Sequence, residues 1–180
     1  MHKILHLFII SGYLTAILSH VTFTNLKCGT SDKGFFDFEK CYIKAVNRSH
    51  KYIDIYVSLK KVPMDNVTIN VKLMRYNNGY KPFFVDVTYD ACKFLKNPNK
   101  NPIVKMLYYA YVNSSNLNHT CPYNHDIIFD HFWTGNWETD FEKYIPTING
   151  EYGIFNNIFQ NSIFRGYIKF YIRISGRQQD

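Results

Sequence analysis

The chain has 180 residues, of which 46% are hydrophobic and 18% aromatic, and its formal net charge is +7 at pH 7. This length fits one domain, since single domains commonly hold about 100–200 residues, and no linker, low-complexity tract or repeat divides the chain. The basic residues alternate with apolar ones, and no nucleic-acid-binding motif occurs, so the charge does not indicate a nucleic-acid partner.

Residues 1–20 are typical of a secretory signal peptide. A basic start at His2-Lys3 precedes an apolar run over residues 4–18, and small and polar residues follow. The run is too short and too often interrupted for a transmembrane helix, which needs about 20 apolar residues. We therefore expect a secreted protein whose mature part is one domain, residues 21–180.

Four cysteines lie in this mature part, at Cys28, Cys41, Cys92 and Cys121. An even number of cysteines in a secreted chain usually indicates disulfides. Of the three possible pairings we favour Cys28 with Cys41 and Cys92 with Cys121, which close one short and one medium-length loop.

Four Asn-x-Ser/Thr sequons accompany the predicted secretion, at Asn47, Asn66, Asn113 and Asn118. This motif is the acceptor for N-linked glycans in secreted proteins. We expect at least one of the four to be used, and Asn118 is the weakest candidate because it lies three residues before Cys121.

Alternation of apolar and polar residues predicts strands over residues 36–46, 52–59, 67–73, 83–87, 151–159 and 168–174. The runs 52–59 and 67–73 are separated by a turn at 63–66, which predicts a hairpin. Asn77-Asn78-Gly79 predicts a second tight turn, because Asn and Gly tolerate positive φ. About seven short strands without alternating helices indicate an all-β antiparallel sandwich.

One helix is predicted between the strands. Asn101 followed by Pro102 has the form of an N-cap with proline at the first helical position. Apolar residues then recur at helical spacing, at Ile103, Met106, Leu107, Ala110 and Tyr111. We expect this helix to lie inside the loop that Cys92 and Cys121 would close.

One cluster has the residue types of a zinc site: His119, Cys121, His125, Asp126, Asp130 and His131. Its spacing matches no Cys-x-x-Cys or His-Glu-x-x-His motif, and Cys121 is better used in a disulfide. No nucleophile elbow or phosphate-binding loop occurs either. The sequence therefore predicts no enzyme, no metal and no cofactor.

The aromatic content exceeds the ordinary needs of a core this size, which leaves two interpretations open. Either the core is simply well filled, or the two sheets splay around a ligand cavity. In the second case, inward-facing residues of the strands and helix would line the cavity: Val57, Leu59, Val71, Leu73, Phe83, Val85, Phe94, Leu107, Phe170 and Ile172.

Several segments together resemble an insect family of secreted proteins of unknown function that includes the CheB-type gustatory proteins. These are Cys41-x5-Asn47-Arg48, the run at 90–95, the block Ser-Asn-Leu-Asn-His-Thr-Cys-Pro-Tyr at 115–123, and Ile-Asn-Gly-Glu-Tyr at 148–152. That family is similar in turn to the ML lipid-recognition superfamily. The resemblance implies an immunoglobulin-like sandwich that opens at one edge to admit a lipid. It also implies that Cys92–Cys121 lies at the cavity mouth and that Cys28–Cys41 joins the first two strands.

Two functions are expected from these observations, and a zinc hydrolase around His119 and His125 is a third alternative that the metal content of the protein would decide. The first is a secreted, monomeric carrier of a lipid or other apolar ligand, used in chemosensation of pheromones or taste compounds. The second is an interaction module with a filled core that binds the ectodomain of a membrane receptor or channel. A cavity of about 300 Å³ or more, lined by Phe and Leu, would favour the carrier.

Overall fold

The computed structural model describes residues 20–47, 50–133 and 148–176. Over these residues the strands are β1 (His20–Thr30), β2 (Phe36–Ala45), β3 (Lys51–Leu59), β4 (Val67–Tyr76), β5 (Tyr80–Asp90), β6 (Ile127–Trp133), β7 (Gly150–Gln160) and β8 (Ile163–Ser175). The helices are α1 (Ala91–Lys96) and α2 (Pro102–Tyr111), with 3₁₀ turns at Pro98–Lys100 and Val112–Ser114. The predicted signal peptide lies outside the described residues except for His20, which begins β1.

The strands form two sheets, in the orders β1-β8-β7-β4-β5 and β2-β3-β6. All strand pairs are antiparallel. Apolar residues from both sheets belong to one buried cluster. The predicted all-β antiparallel sandwich is therefore confirmed.

The predicted hairpin between residues 52–59 and 67–73 is wrong, because β3 and β4 belong to different sheets. Both edges of β3 are occupied, by β2 and β6, so the chain leaves this sheet after Leu59. On the way to β4, the backbone of Met64 exchanges hydrogen bonds of 2.8 and 3.0 Å with Tyr123. The second predicted turn, Asn77-Asn78-Gly79, does join two paired strands, β4 and β5.

Both predicted disulfides are present, Cys28–Cys41 and Cys92–Cys121. Cys28 lies on β1 and Cys41 on β2, so the first bridge joins an edge of one sheet to an edge of the other. The second bridge joins the first turn of α1 to the segment that precedes β6.

The connection between β5 and β6 contains two α-helices, not the single helix that the sequence predicts. The additional helix, α1, begins where the Asp90 side chain accepts a hydrogen bond of 2.9 Å from the Lys93 amide. Helix α2 begins as predicted, with Asn101 accepting from the Val104 amide at 3.1 Å and Pro102 in the first turn. None of the helices described here is long and apolar enough to cross a membrane.

One end of the sandwich is filled by large side chains. The Phe23 ring packs against Phe132 and Phe170 at centroid distances of 5.6 and 6.4 Å. Tyr152 and Ile172, which pair across β7 and β8, are both 0% exposed. The helices pack near the other end, where the space between the sheets is only partly filled.

Candidate functional site: an apolar cavity beneath the helices

A cavity of about 170 Å³ lies between the two sheets and the helical connection. Its walls contain Val67, Ile69 and Val71 of β4, and residues of β7 and β8 complete that sheet's contribution. Helix α2 contributes Leu107 and Tyr111. Within the described part of the chain, no charged side chain lines this wall.

Six of the ten residues predicted for the cavity lie on its wall: Val57, Leu59, Val71, Phe94, Leu107 and Phe170. The other four do not: Leu73, Phe83, Val85 and Ile172. Leu73 and Ile172 are buried and lie two residues beyond Val71 and Phe170, toward the filled end. Phe83 packs instead against Phe84 and Tyr152, at 4.8 and 5.7 Å. Alternation therefore identified inward-facing residues but not where along each strand the space is empty.

Many wall residues were not predicted. Some lie on β6, which was missed, or in the helical connection, which was only partly recognised, whereas others, such as Val67 and Ile158, lie on strands that the sequence does predict. They share an apolar or aromatic character, apart from one amide: Phe36, Met64, Val67, Ile69, Tyr89, Ala91, Leu95, Val104, Tyr108, Tyr111, Leu117, Cys121, Tyr123, Ile127, Phe129, Phe132, Ile154, Asn156, Ile158 and Ile168. The alternation Ile127-x-Phe129 was a signal that could have revealed β6.

Four tyrosines line this wall: Tyr89, Tyr108, Tyr111 and Tyr123. The Tyr108 hydroxyl donates to the Leu117 carbonyl oxygen at 3.1 Å, and the Tyr123 hydroxyl donates to the His119 carbonyl oxygen. The hydroxyls of Tyr89 and Tyr111 have no hydrogen-bond partner among the described residues. The four side chains thus divide into two with a backbone partner and two without.

Burial perturbs the acidity of these tyrosines. It raises the pKa of Tyr89 far above its usual 10.0, and it raises the pKa of Tyr123 to about 12. The pKa of Tyr111 is held well above 10.0, first by burial and then by the nearby hydroxyls of Tyr89, Tyr108 and Tyr123. Burial also raises the pKa of Tyr108. All four are neutral hydrogen-bond donors at physiological pH, as tyrosine already is at its usual pKa.

Asn156 is the single amide side chain on the wall. Its nitrogen donates to the carbonyl oxygens of Ile168 and Ile154, at 3.2 and 3.4 Å. Because these bonds fix the side chain against β7 and β8, Asn156 adds a fixed polar group opposite the helices.

The six residues considered as a zinc site do not form one cluster. Cys121 is bound in a disulfide, and Asp126 accepts from the Tyr56 hydroxyl at 2.7 Å and from the Leu59 amide at 2.8 Å. His119 and His125 do meet, with their Nε2 atoms 2.8 Å apart.

Asp130 and His131 instead gather with Asp54, whose carboxylate accepts from the His131 amide at 2.8 Å. The His131 ring lies 2.7 Å from the Asp130 carboxylate and stacks on Tyr52. Hydrogen bonds therefore explain why Asp54, Asp130 and His131 lie together on the outer face of β3 and β6. Both Asp130 and His131 are exposed.

The four sequon asparagines are all exposed: Asn47, Asn66, Asn113 and Asn118. Ser49, the hydroxyl residue of the first sequon, lies outside the described residues. The side-chain nitrogen of Asn66 donates to the side-chain oxygen of Asn161. A glycan attached to that nitrogen would replace this contact.

No curated protein sequence matches this chain. Residues 67–154 match the model of a family described as "Protein of unknown function (DUF1091)". The matched segment begins at β4, includes the helical connection and β6, and ends at Ile154 on β7, so it holds much of the cavity wall. Over residues 67–154 the chain is thus similar to the family described as protein of unknown function, DUF1091.

Proposed function

We propose that this protein is a non-enzymatic carrier that holds one small apolar molecule between its two sheets. The observation that carries the proposal is the cavity of about 170 Å³ with an almost wholly apolar wall. Specific ligand sites are typically concave and apolar, with a few polar groups that orient the ligand. The tyrosine hydroxyls and Asn156 fit that description.

The size of the cavity limits the ligand. Its volume lies below the roughly 300 Å³ that we set as the criterion for a carrier. An engineered apolar cavity of about 150 Å³ binds benzene, however. The proposed ligand is therefore about the size of one substituted ring or a short hydrocarbon chain, and a full-length lipid would need the sheets to separate further.

A neutral ligand fits this wall best. Transferring apolar surface from water to the cavity stabilises the complex by roughly 25 cal/mol per Å². An ionised group would lose its hydration and find no charged partner on the wall, which costs far more. We accordingly propose a neutral, hydrophobic compound.

The proposal extends to place and use. Two disulfides favour an oxidising, extracellular setting, because such bonds rarely persist in the cytosol. The sequence resemblance to insect gustatory proteins and to the ML superfamily supports chemosensation, with an immunoglobulin-like sandwich as the carrier fold. A secreted monomer that takes a pheromone or taste compound through an aqueous medium is the role we propose.

The runner-up is an extracellular interaction module that binds a receptor or channel ectodomain. The small cavity volume favours it, since a nearly filled core needs no ligand. Exposed aromatic side chains such as Phe84, 73% exposed, could then contact the partner.

A series of ligands of increasing size separates these functions. We would add benzene, naphthalene and methyl hexadecanoate, all neutral, to protein labelled at its methyl groups and follow the NMR shifts of Val57 and Val71 on the wall. Ile174, which is buried at 1% exposure outside the wall, is the internal reference. The carrier should show saturable shifts at Val57 and Val71 with benzene. The absence of such shifts with all three compounds would overturn the carrier function in favour of the interaction module.

A further inference from the structure

We infer that the ligand of this cavity carries a hydrogen-bond acceptor oxygen, and that the hydroxyls of Tyr111 and Tyr89 bind it. This inference rests on the proposed carrier function and adds the chemical class of the ligand: a small apolar molecule with a carbonyl, ester, ether or alcohol group.

Tyr111 is held in place by aromatic neighbours. It is the last residue of α2, and its ring lies 5.3 Å from Phe129, 5.6 Å from Tyr108 and 6.5 Å from Phe132. Phe129 and Phe132 belong to β6, so Tyr111 connects the helix to the smaller sheet. The position of its hydroxyl is therefore set by packing on three sides.

Tyr89 approaches the cavity from the other sheet. It lies near the end of β5, and its ring packs against Phe94 of α1 at 5.5 Å. Phe94 in turn contacts Tyr108 at 5.5 Å, which completes an aromatic row from β5 through both helices. The nearby Tyr89 hydroxyl contributes to the raised pKa of Tyr111, after the larger effect of burial.

Both hydroxyls lack a hydrogen-bond partner within residues 20–47, 50–133 and 148–176. Both side chains are partly rather than fully buried, and neither oxygen is among the fully buried unsatisfied atoms of those residues, which are Thr22 Oγ1 and Arg165 Nε. A hydroxyl on the wall that has no protein partner and is still accessible can donate a hydrogen bond to whatever occupies the cavity. The inferred occupant is a ligand with an acceptor oxygen, and water is the alternative that the test below distinguishes.

The state of the two tyrosines defines what they can bind. Both hydroxyls are neutral at physiological pH and can donate a hydrogen bond, and burial, which raises the pKa of each, extends that state to higher pH. The matching group on the ligand is an oxygen acceptor. A pure hydrocarbon would leave both hydroxyls unsatisfied.

A pair of ligands of the same shape tests the inference. Acetophenone and α-methylstyrene differ only by a carbonyl oxygen in place of a methylene group. We would titrate both into the wild type and into Tyr111→Phe and measure each dissociation constant by calorimetry. Tyr111→Phe should weaken acetophenone binding about three- to tenfold and leave α-methylstyrene binding within twofold, because one neutral hydrogen bond is lost.

Tyr108→Phe is the matched control, because Tyr108 lines the same cavity but its hydroxyl already donates to the Leu117 carbonyl oxygen. This variant should lower the melting temperature and change both affinities equally, whereas Tyr111→Phe should leave the melting temperature unchanged or raise it. Equal effects of Tyr111→Phe on both ligands, as expected if only water meets the hydroxyl, would overturn the inference alone. If neither compound binds the wild type, the carrier function itself fails.

Discussion

Benzene should stabilise this protein by an amount that the cavity volume sets. An empty cavity costs roughly 24 cal/mol per Å³, so 170 Å³ corresponds to about 4 kcal/mol. Recovering that amount on binding would give a dissociation constant near 1 mM. At about 10 mM benzene, the gain in unfolding free energy is then about 1.4 kcal/mol, and the melting temperature should rise by about 3–6 °C. Differential scanning calorimetry measures this shift directly.

Two matched valine substitutions locate the effect. Val71 lines the cavity, whereas Val85 is buried at 7% exposure outside its wall. Val71→Phe should place a ring in the empty space and abolish the benzene shift with little loss of stability. Val85→Phe should destabilise the protein by about 1–3 kcal/mol through overpacking yet keep the benzene shift. An unchanged benzene shift in Val71→Phe would refute the assignment of the binding space.

Three further predictions concern the bonds and ionisable groups around the cavity. Replacing Cys92 and Cys121 together by serine should lower the unfolding free energy by about 3.5 kcal/mol, measured by urea denaturation, because the bridge spans 29 residues. The pKa of Tyr111 is higher in the folded state than its unfolded 10.0, so the stability it contributes is full below pH 10 and is lost as pH rises through the folded pKa. Tyr111→Phe should therefore unfold at a higher alkaline pH than the wild type, as followed by circular dichroism. Hydrogen bonds, first from the Tyr56 hydroxyl, lower the pKa of Asp126 below 3.8, so its contribution is present above pH 3.8 and is lost as pH falls through the folded pKa. Asp126→Asn should make the decrease in melting temperature below pH 4 shallower.

The sequence predicted the strands better than their partners. Alternation shows which side chains share a face, so residues 52–59 and 67–73 were recognised as strands. Their supposed hairpin failed because pairing depends on which edges are free, and β2 and β6 occupy both edges of β3. Local pattern contains no information on that competition.

The site was predicted in part for a related reason. Val71 and Leu73 have the same alternation and the same face, yet only Val71 borders empty space. The difference depends on large side chains from distant segments, such as Phe23 and Tyr152, which fill one end of the sandwich. Which of two equivalent positions faces a void is a property of three-dimensional packing, and no local period specifies it.

The Cys92–Cys121 bridge separates changes in the length and sequence of the intervening segment from the strand pairing of the two sheets. Its two Cα atoms are 5.3 Å apart, so residues 93–120 begin and end at nearly one point, although Ser115 and Asn116 also pair with Phe129 and Ile128 of β6. Strand pairing continues outside that point, between β4 and β5 on one side and between β3 and β6 on the other. We therefore expect insertions, deletions and substitutions between Lys93 and Ser114 to reshape one wall of the cavity while both sheets keep their register. Under the carrier function proposed above, proteins with different ligand preferences could diverge from this one frame through that segment.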